Sequence, residues 1–289
     1  MSPRVILARL NGTPSDADVL GNALAMSKMF SSHTVALFSR PEPHSDSVII
    51  DEGFSAADYE DLVADKEREW KQLAMNAYKT FEKWRAKNEI PFIRNPTFEE
   101  GPSAEWQVPS DLASEAMNVA RFGLVSDIVV SAAPTIGSDD TGLEAALFDT
   151  GRPILIVPEH GGADIASGTV VIAWNGSVEA SHAVVAAMPL LNRAEHVFAF
   201  TVPKGALQLN AAKELAAYLS WHGIRASVIK AEAGGANSIS GALLDAVKKV
   251  KANLLVMGAY THSRVRERLF GGVTKDVLKN ADIPVLMAH

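Results

Sequence analysis

Residues 253–287 carry the residue types that best suit the binding of an anionic ligand. An apolar run at 253–257 is typical of a buried strand and ends at Gly258. Gly271 and Gly272 then come directly before a segment whose apolar residues have helical spacing. Glycines between a strand and a helix leave backbone N–H groups free at the positive end of the helix, where a phosphate can bind. The same glycines are equally typical of a tight turn that needs no ligand.

The loop at 259–268 adds polar side chains to this stretch. It contains His262 and Ser263, followed by three arginines at alternate positions, Arg264, Arg266 and Arg268. Loop arginines are most often solvated, and the alternative is that one or two of them contact a triphosphate. The loop is therefore compatible with a phosphate site beside the glycines, and its arginines are also compatible with a solvated surface.

No set of residues in the sequence predicts a catalytic or metal centre. The chain has no cysteine, which excludes disulfides, thiolate chemistry and cysteine-ligated metals. The histidines show no metal-ligand spacing, so we expect no metal site. Ser177 lies near His182, but no G-x-S-x-G motif surrounds it, and a helix cap is the better interpretation of this serine.

Composition predicts a globular protein of two domains. The 289 residues allow two domains of about 145 residues each, and an apolar content of 47% with 21% charged residues is ordinary for such proteins. The formal net charge of −7 argues against a nucleic-acid-binding surface. No apolar run approaches the ~18 residues of a membrane span, and the first apolar run is too short for a signal peptide. We therefore expect a cytoplasmic protein with no membrane partner.

The elements that must position the glycine loop alternate between strands and helices along the chain. Strands are predicted at 5–10, 34–39, 92–98, 127–131, 153–157, 170–174, 196–202, 226–230, 253–257 and 283–287. Helices are predicted at 16–30, 57–87, 111–122, 143–148, 178–191, 210–222, 239–250 and 273–280. This order predicts an α/β fold of two tandem Rossmann-like domains, each a mainly parallel five-stranded sheet with helices on both faces.

The second half of the chain repeats the first. Asn11-Gly12-Thr13 corresponds to Asn175-Gly176-Ser177 at an offset of 175 − 11 = 164, and Pro153 corresponds to Pro284 at 284 − 153 = 131. The two offsets differ by 164 − 131 = 33 residues. This difference matches extra chain in the first half, most of it in the long helix predicted at 57–87. Two such copies can pair about a local two-fold axis, and the final strands at 153–157 and 284–287 are the expected contact.

The two halves differ where the phosphate site is predicted. The first half lacks about five residues at the position of the second half's glycine loop, and it carries Asp139 and Asp140 there. Negative charges repel a phosphate. The sequence therefore predicts a ligand site in the second half alone.

The pattern resembles the universal stress protein family in its tandem two-domain form, over nearly the whole chain. The family motif G-x2-G-x9-G-[ST] is matched at Gly258 and Gly271, whereas Thr261 replaces its second glycine and Gly272 its final Ser/Thr. Asn175 replaces the family's aspartate after the first strand. The resemblance implies two adenine nucleotide alpha-hydrolase-like domains. These are a degenerate domain at 1–158 with a long helical insertion, and a domain at 168–289 with the glycine loop.

The resemblance also implies the ligand and the residues that hold it. In ATP-binding members the glycines and hydroxyl hold the phosphates and ribose, so ATP, with Mg²⁺, is the expected ligand here. The implied ligand-binding residues are Ala173, Asn175, Val202, Gly258, Thr261, His262, Ser263, Gly271, Gly272, Val273 and Thr274. No catalytic residue is implied.

Three functions remain open from the sequence. The first is a stress-response, ATP-binding module without robust turnover. The second is a slow ATP hydrolase or nucleotide-dependent transferase, which needs a positioned base and usually a carboxylate for Mg²⁺. The third is a ligand-free scaffold that acts through its surfaces. We expect an adenine nucleotide as partner and an intramolecular pseudo-dimer, with a homodimer as a further option.

Overall fold

The chain folds into alternating strands and helices that assemble on one sheet. The computed structural model describes residues 2–40, 56–95, 101–109, 113–135, 140–162, 165, 167–202, 206–231, 238–259 and 272–289. Within these ranges the strands are β1 (Val5–Leu10), β2 (His33–Phe38), β3 (Ser103–Gln107), β4 (Ile128–Ala132), β5 (Ile154–Val157), β6 (Thr169–Ala173), β7 (His196–Thr201), β8 (Ala226–Lys230), β9 (Leu254–Gly258) and β10 (Val285–Ala288). The helices are α1 (Asp16–Phe30), α2 (Ala56–Lys87), α3 (Glu115–Leu124), α4 (Thr141–Phe148), α5 (Val178–Leu191), α6 (Ala206–Trp221), α7 (Ile239–Lys249) and α8 (Gly272–Asn280).

The ten strands form a single sheet with an internal two-fold pattern. Their order is β3-β2-β1-β4-β5-β10-β9-β6-β7-β8, so each half has the same five-stranded arrangement in mirror order along the sheet. Neighbouring strands are parallel within each half, and β5 pairs antiparallel with β10, with Leu286 opposite Leu155. The predicted α/β fold of two tandem parallel sheets is confirmed, and the final strands pair as expected.

The helices cover both faces of this sheet. Helices α1, α2, α5 and α6 bury side chains such as Val19 and Leu215 in one apolar core, on what we call the first face. Helices α3, α4, α7 and α8 bury side chains such as Leu143 and Val277 in another core, on the second face. Successive strand residues alternate between these cores because side chains of a strand point to opposite faces. No helix in the described residues is long and apolar enough to cross a membrane.

One predicted strand is wrong. Of the segment predicted at 92–98, the described residues 92–95 make a single bridge, between Phe92 and Ala104, and the edge strand is instead β3. The sequence SAEWQ of β3 has a mixture of polar and apolar residues, because an edge strand is only partly covered. The apolar residues of the neighbouring segment therefore predicted the strand in the wrong place.

The long helix α2 has the same topological position as α6. It connects β2 to β3, as α6 connects β7 to β8, and it has 32 residues where α6 has 16. Its buried residues Ala77, Phe81 and Trp84 pack on the first face. This shared crossover helix therefore holds 32 − 16 = 16 of the 33 extra residues of the first half, fewer than the majority that the sequence predicted.

Candidate functional site

The candidate site lies where the direction of chain progression reverses in the second half. Strand β6 lies beside β9, and the chain continues from β6 to β7 on one side and from β9 to β10 on the other. Ligands of open α/β sheets bind in the crevice at such a point. Ala173 ends β6, Val202 follows β7, and Gly258 ends β9. The structure therefore brings these predicted residues to one edge of the sheet.

The beginning of α8 adds to the same region of the second face. Ala173, Val202 and Val273 all pack against the core of that face. Gly272 is exposed, and no atom of the neighbouring described residues would lie within 4 Å of a Cβ built on it. Thr274 is buried, with a relative exposure of 6%. Gly272, the first residue of α8, is therefore the one with space beside it for a ligand or a side chain.

Gly258 has a packing role that needs no ligand. A Cβ built on Gly258 would lie 2.5 Å from the backbone N of Ala180 and 2.7 Å from the backbone C of Glu179. Any side chain here would therefore force the first turn of α5 away from β9. Ala132 occupies the same place at the end of β4, so this close approach is particular to the second half.

Asn175 also has a structural role. Its Oδ1 accepts a hydrogen bond from the backbone N of Ser177 at 3.0 Å, which closes an Asx turn after β6. Asn11 makes the same turn in the first half, where its Oδ1 accepts from the backbone N of Thr13 at 3.2 Å. Ser177 caps α5, as the sequence predicts, by accepting from the backbone N of Ala180. With Oδ1 engaged in the turn, the Nδ2 of Asn175 is the group that can donate to a ligand.

Four of the predicted ligand residues lie outside the described residues. These are Thr261, His262, Ser263 and Gly271. Their contacts with a nucleotide therefore stay predictions from the resemblance. The described part of the site consists of the strand ends and the start of α8.

The corresponding crevice of the first half is filled by an ion-pair network. Arg9, near the end of β1, is buried with a relative exposure of 7%. Its Nη2 lies 2.7 Å from Oε1 of Glu115 and 2.7 Å from Oδ1 of Asp140. Its Nη1 donates to Oδ2 of Asp140 at 3.0 Å and to Oγ of Ser131 at 3.2 Å. The guanidinium therefore bridges β1, β4, α3 and the residue before α4.

The network also occupies the positive end of α4. The Oδ1 of Asp140 accepts from the backbone N of Leu143 at 2.8 Å and caps this helix. A carboxylate here takes the place that a phosphate would otherwise occupy. Burial opposes the charge of Arg9, but Glu115 and Asp140 outweigh that effect and raise the pKa of Arg9. A Cβ built on Gly142 would lie 2.6 Å from Nε of Arg9, so the space is fully used.

The second half has small or apolar residues at the equivalent positions. Ala173 precedes Asn175 by two residues, as Arg9 precedes Asn11. Gly271 directly precedes α8 as Asp140 directly precedes α4, and the apolar Ile239 begins α7 as Glu115 begins α3. The charged network of the first half therefore has no equivalent in these positions of the second half.

Arg9 and Glu115 were not predicted from the sequence as members of a site. A signal was available, because Arg9 interrupts the apolar strand VILARL. A charged residue in a buried strand requires partners of opposite charge. The sequence could not identify those partners, since they lie 106 and 131 residues away along the chain.

A second buried acid lies beside this network. Asp16 begins α1 with a relative exposure of 1%, and its oxygens accept from the backbone N of Asn11 and of Gly12, both at 2.9 Å. Burial raises the pKa of Asp16 to about 6, whereas those two hydrogen bonds and the charge of Arg9 lower it. The loop after β1 is therefore held by an acid that titrates just below neutral pH.

A cavity of about 320 Å³ lies beside the candidate crevice, on the first face. Trp174, Val184, Leu215 and Tyr218 contribute to its walls. Trp174 packs with the first core and Ala173 with the second, so the cavity and the crevice lie on opposite faces of the sheet. The predicted base-binding residues therefore do not line this cavity.

Comparisons with known proteins agree with the geometry. The model of the Universal stress protein family matches residues 168–289. A universal stress protein from Archaeoglobus fulgidus is similar in structure, with a TM-score of 0.67, 13% identity, and coverage of 100% of this chain and 96% of that chain. A functionally unknown protein from Pseudomonas aeruginosa matches with a TM-score of 0.53 and 12% identity, over 99% of this chain and 92% of that one.

The same fold also occurs in the cytoplasmic domain of a prokaryotic cation chloride cotransporter. That match has a TM-score of 0.52 and 9% identity, and it covers 99% of this chain and 95% of that chain. No curated protein matches the sequence. At such low identities the structural matches establish the fold and not the activity.

Fold and crevice together define a tandem, doubly wound α/β protein in which an ion-pair network fills the switch point of the first half. Within that class, residues 168–289 belong to the universal stress protein family. The first half has the same topology and completes the tandem fold over which the Archaeoglobus protein matches. The resemblance seen in the sequence is confirmed.

Proposed function

We propose that this universal stress protein binds one adenine nucleotide, with ATP as the expected ligand, in the crevice between β6 and β9. One observation carries the proposal. Arg9, Glu115 and Asp140 fill the crevice of the first half, whereas Ala173 stands at the position of Arg9 in the second. The chain therefore has two topologically equivalent crevices and uses one of them for its own ion pairs.

The chemistry of the filled crevice supports an anion in the other. In the first half a carboxylate caps the positive end of α4 and a guanidinium neutralises it. In the second half the residue before α8 is a glycine, so this position supplies no side-chain negative charge. A helix N-terminus without an internal anion is a favourable place for an external phosphate.

The residues at the strand ends would form the rest of the site. Ala173 and Val202 offer half-buried apolar surface on which a base can pack. The Nδ2 of Asn175 can donate to a ring nitrogen of adenine. Gly272 leaves room for phosphate oxygens at the first turn of α8. Mg²⁺ would enter with the nucleotide, because it is usually bound by phosphates and few protein ligands.

We expect binding without robust turnover. Hydrolysis needs a base that positions water and commonly a carboxylate for the metal. Asp276 of α8 is exposed, and its Oδ2 accepts from Oγ of Ser240 at 2.9 Å, which ties α8 to α7. This contact gives Asp276 a structural role, and it does not favour the alternative of a slow hydrolase.

The three candidate functions are separated by one titration of the full-length protein. ATP with Mg²⁺ is titrated calorimetrically, and ADP release is measured in the same preparation. We expect one ATP per chain and no release of ADP above the spontaneous rate. Steady ADP production would support the hydrolase instead. Absence of binding at millimolar ATP would support the ligand-free scaffold, and two ATP per chain would contradict the assignment of a single site.

A further inference from the structure

A cavity of about 800 Å³ lies in the first half of the chain, at the amino ends of its strands. Its walls include Val5, His33 and Ser103, which are the first residues of β1, β2 and β3. Phe122 of α3 and Val35 of β2 add apolar surface to the same cavity. A cleft of this size with a few polar groups at its base is typical of a small-molecule site.

Three polar side chains meet in this cavity. Nδ1 of His33 lies 2.9 Å from Oγ of Ser103, and Nε2 of the same ring lies 3.7 Å from Oε1 of Glu105. The strand register brings them together, because His33 is opposite Ser103 and Val35 is opposite Glu105 on the parallel strands β2 and β3. Ser103 and Glu105 are two residues apart and so lie on the same face.

The surroundings of His33 suit a base. Its side chain is 27% exposed, and that of Glu105 is 14% exposed. Burial lowers the pKa of His33, and the charge of the nearby Glu105 acts against that change. A lowered pKa leaves the imidazole neutral near pH 7, when it can accept a proton from a hydroxyl group.

The other half of the chain lacks this cluster. His196 begins β7 as His33 begins β2, so the histidine itself is repeated. However, β8 begins at Ala226, and Ser227 lies opposite Phe198, where Glu105 lies opposite Val35 in the first half. His196 is exposed. The fold alone therefore does not require the group of three.

We propose that Ser103, His33 and Glu105 form a nucleophile–base–carboxylate group that hydrolyses small carboxylic esters, independently of nucleotide binding. A hydroxyl bonded to a base, with the base oriented by a third group, is the arrangement of nucleophilic catalysis. Arg94 lines the same cavity and brings positive charge for the oxyanion that develops on the carbonyl oxygen.

The reaction would proceed in two balanced steps. Oγ of Ser103 attacks the ester carbonyl carbon while its proton passes to Nδ1 of His33. The ester C–O bond breaks, and the leaving alkoxide takes that proton and departs as an alcohol. Water then attacks the acyl-serine with His33 again as base. The carboxylic acid leaves and Ser103 recovers its proton.

The test uses the full-length protein with p-nitrophenyl acetate and with a fluorophosphonate probe that labels activated serines. We expect ester hydrolysis and a label on Ser103 located by mass spectrometry. Ser103→Ala and His33→Ala should each lower the rate by about 100-fold or more, the usual contribution of a general base. His196→Ala, which removes the repeated histidine, should leave the rate unchanged.

Two outcomes would overturn the proposal. One is hydrolysis that survives Ser103→Ala in a protein whose thermal midpoint is unchanged. The other is a folded wild-type protein that shows neither hydrolysis nor label. The second outcome is measured on the wild-type protein, so it does not depend on whether a variant folds.

Glu105 would act as a positioning residue, and the pH profile tests that role. Among the described residues, the charged groups that line the cavity besides Glu105 are Arg4 and Arg94. The rate should rise with pH as His33 loses its proton. Since Glu105 raises the pKa of His33, Glu105→Gln should move this rise to lower pH as well as reduce the rate. A lower rate with an unmoved profile would show a merely structural role.

Discussion

Nη2 of Arg9 lies 2.7 Å from Oδ1 of Asp140, which joins the end of β1 to the cap of α4. The first half thereby supplies, from its own side chains, both the negative charge at the start of α4 and the positive charge that balances it. The second half keeps the sheet topology but has Ala173 and Gly271 at the same two places. This difference is the physical basis for expecting one nucleotide per chain.

Removal of the buried cation should destabilise the protein strongly. Arg9→Met keeps most of the side-chain volume but removes the guanidinium that Glu115 and Asp140 contact. Loss of one member of a buried ion pair typically costs about 3–5 kcal/mol. Urea unfolding measures the change, and Arg225→Ala, at an exposed arginine, should stay within about 0.5 kcal/mol of wild type. A similar small change for Arg9→Met would mean that the network does not stabilise the first half.

The two glycines of the family motif should respond differently to the same added methyl group. Gly258→Ala places a Cβ 2.5 Å from the backbone N of Ala180, and overpacking of this kind typically costs about 1–3 kcal/mol. Gly272→Ala has open space around its Cβ and should be neutral or stabilise α8 by up to about 1 kcal/mol. Thermal and urea unfolding of both variants without nucleotide provide the comparison. Equal effects would show that Gly258 is not needed for the approach of α5.

A hydroxyl side chain at position 272, where the family motif has Ser or Thr, should tighten ATP binding. Gly272→Ser adds a hydroxyl at the first residue of α8, where the structure leaves space. A hydrogen bond to a charged acceptor contributes about 1–3 kcal/mol, and each 1.4 kcal/mol is about tenfold in Kd. We therefore expect about tenfold tighter binding, measured by calorimetry at fixed salt. Gly272→Ala is the control, because it adds the carbon without the hydroxyl; if it tightens binding equally, the hydroxyl is not a ligand contact.

The stability of the first half should fall as Asp16 ionises. Its pKa is raised from 3.8 to about 6 in the folded protein, so its stabilising contribution is complete below pH 3.8 and is lost as pH rises through about 6. At 1.36 kcal/mol for each pH unit, the loss is at most on the order of 3 kcal/mol. Urea unfolding between pH 4 and 7 should show wild type losing stability relative to Asp16→Asn, which cannot titrate. A constant difference between the two proteins would contradict the raised pKa.

The sequence predicted the architecture because its signals are local and repeated. Apolar runs followed by Asn-Gly turns occur at 11–12 and 175–176, and the final strands carry Pro153 and Pro284 at matching places. These features identified the halves and their pairing through β5 and β10. The edge strand β3 was missed because partial cover allows polar residues in a strand, and such a segment has no apolar pattern to find.

The site was predictable only in part. The strand ends Ala173, Val202 and Gly258 follow from the family pattern, and the structure places them at one edge of the sheet. The packing role of Gly258 was not visible, because it depends on how closely α5 approaches β9. The filling of the first crevice was also hidden, since Arg9 finds its partners through tertiary contacts more than 100 residues away.

The most direct test of a single nucleotide site is to give the second half the side chain that fills the first. Calorimetric titration of ATP into full-length Ala173→Arg should show no binding, with one ATP per chain in wild type. Val185→Arg, which adds the same side chain at an exposed position of α5, should bind as wild type does. If Ala173→Arg keeps its thermal midpoint and still binds one ATP with wild-type affinity, the nucleotide does not occupy the crevice between β6 and β9.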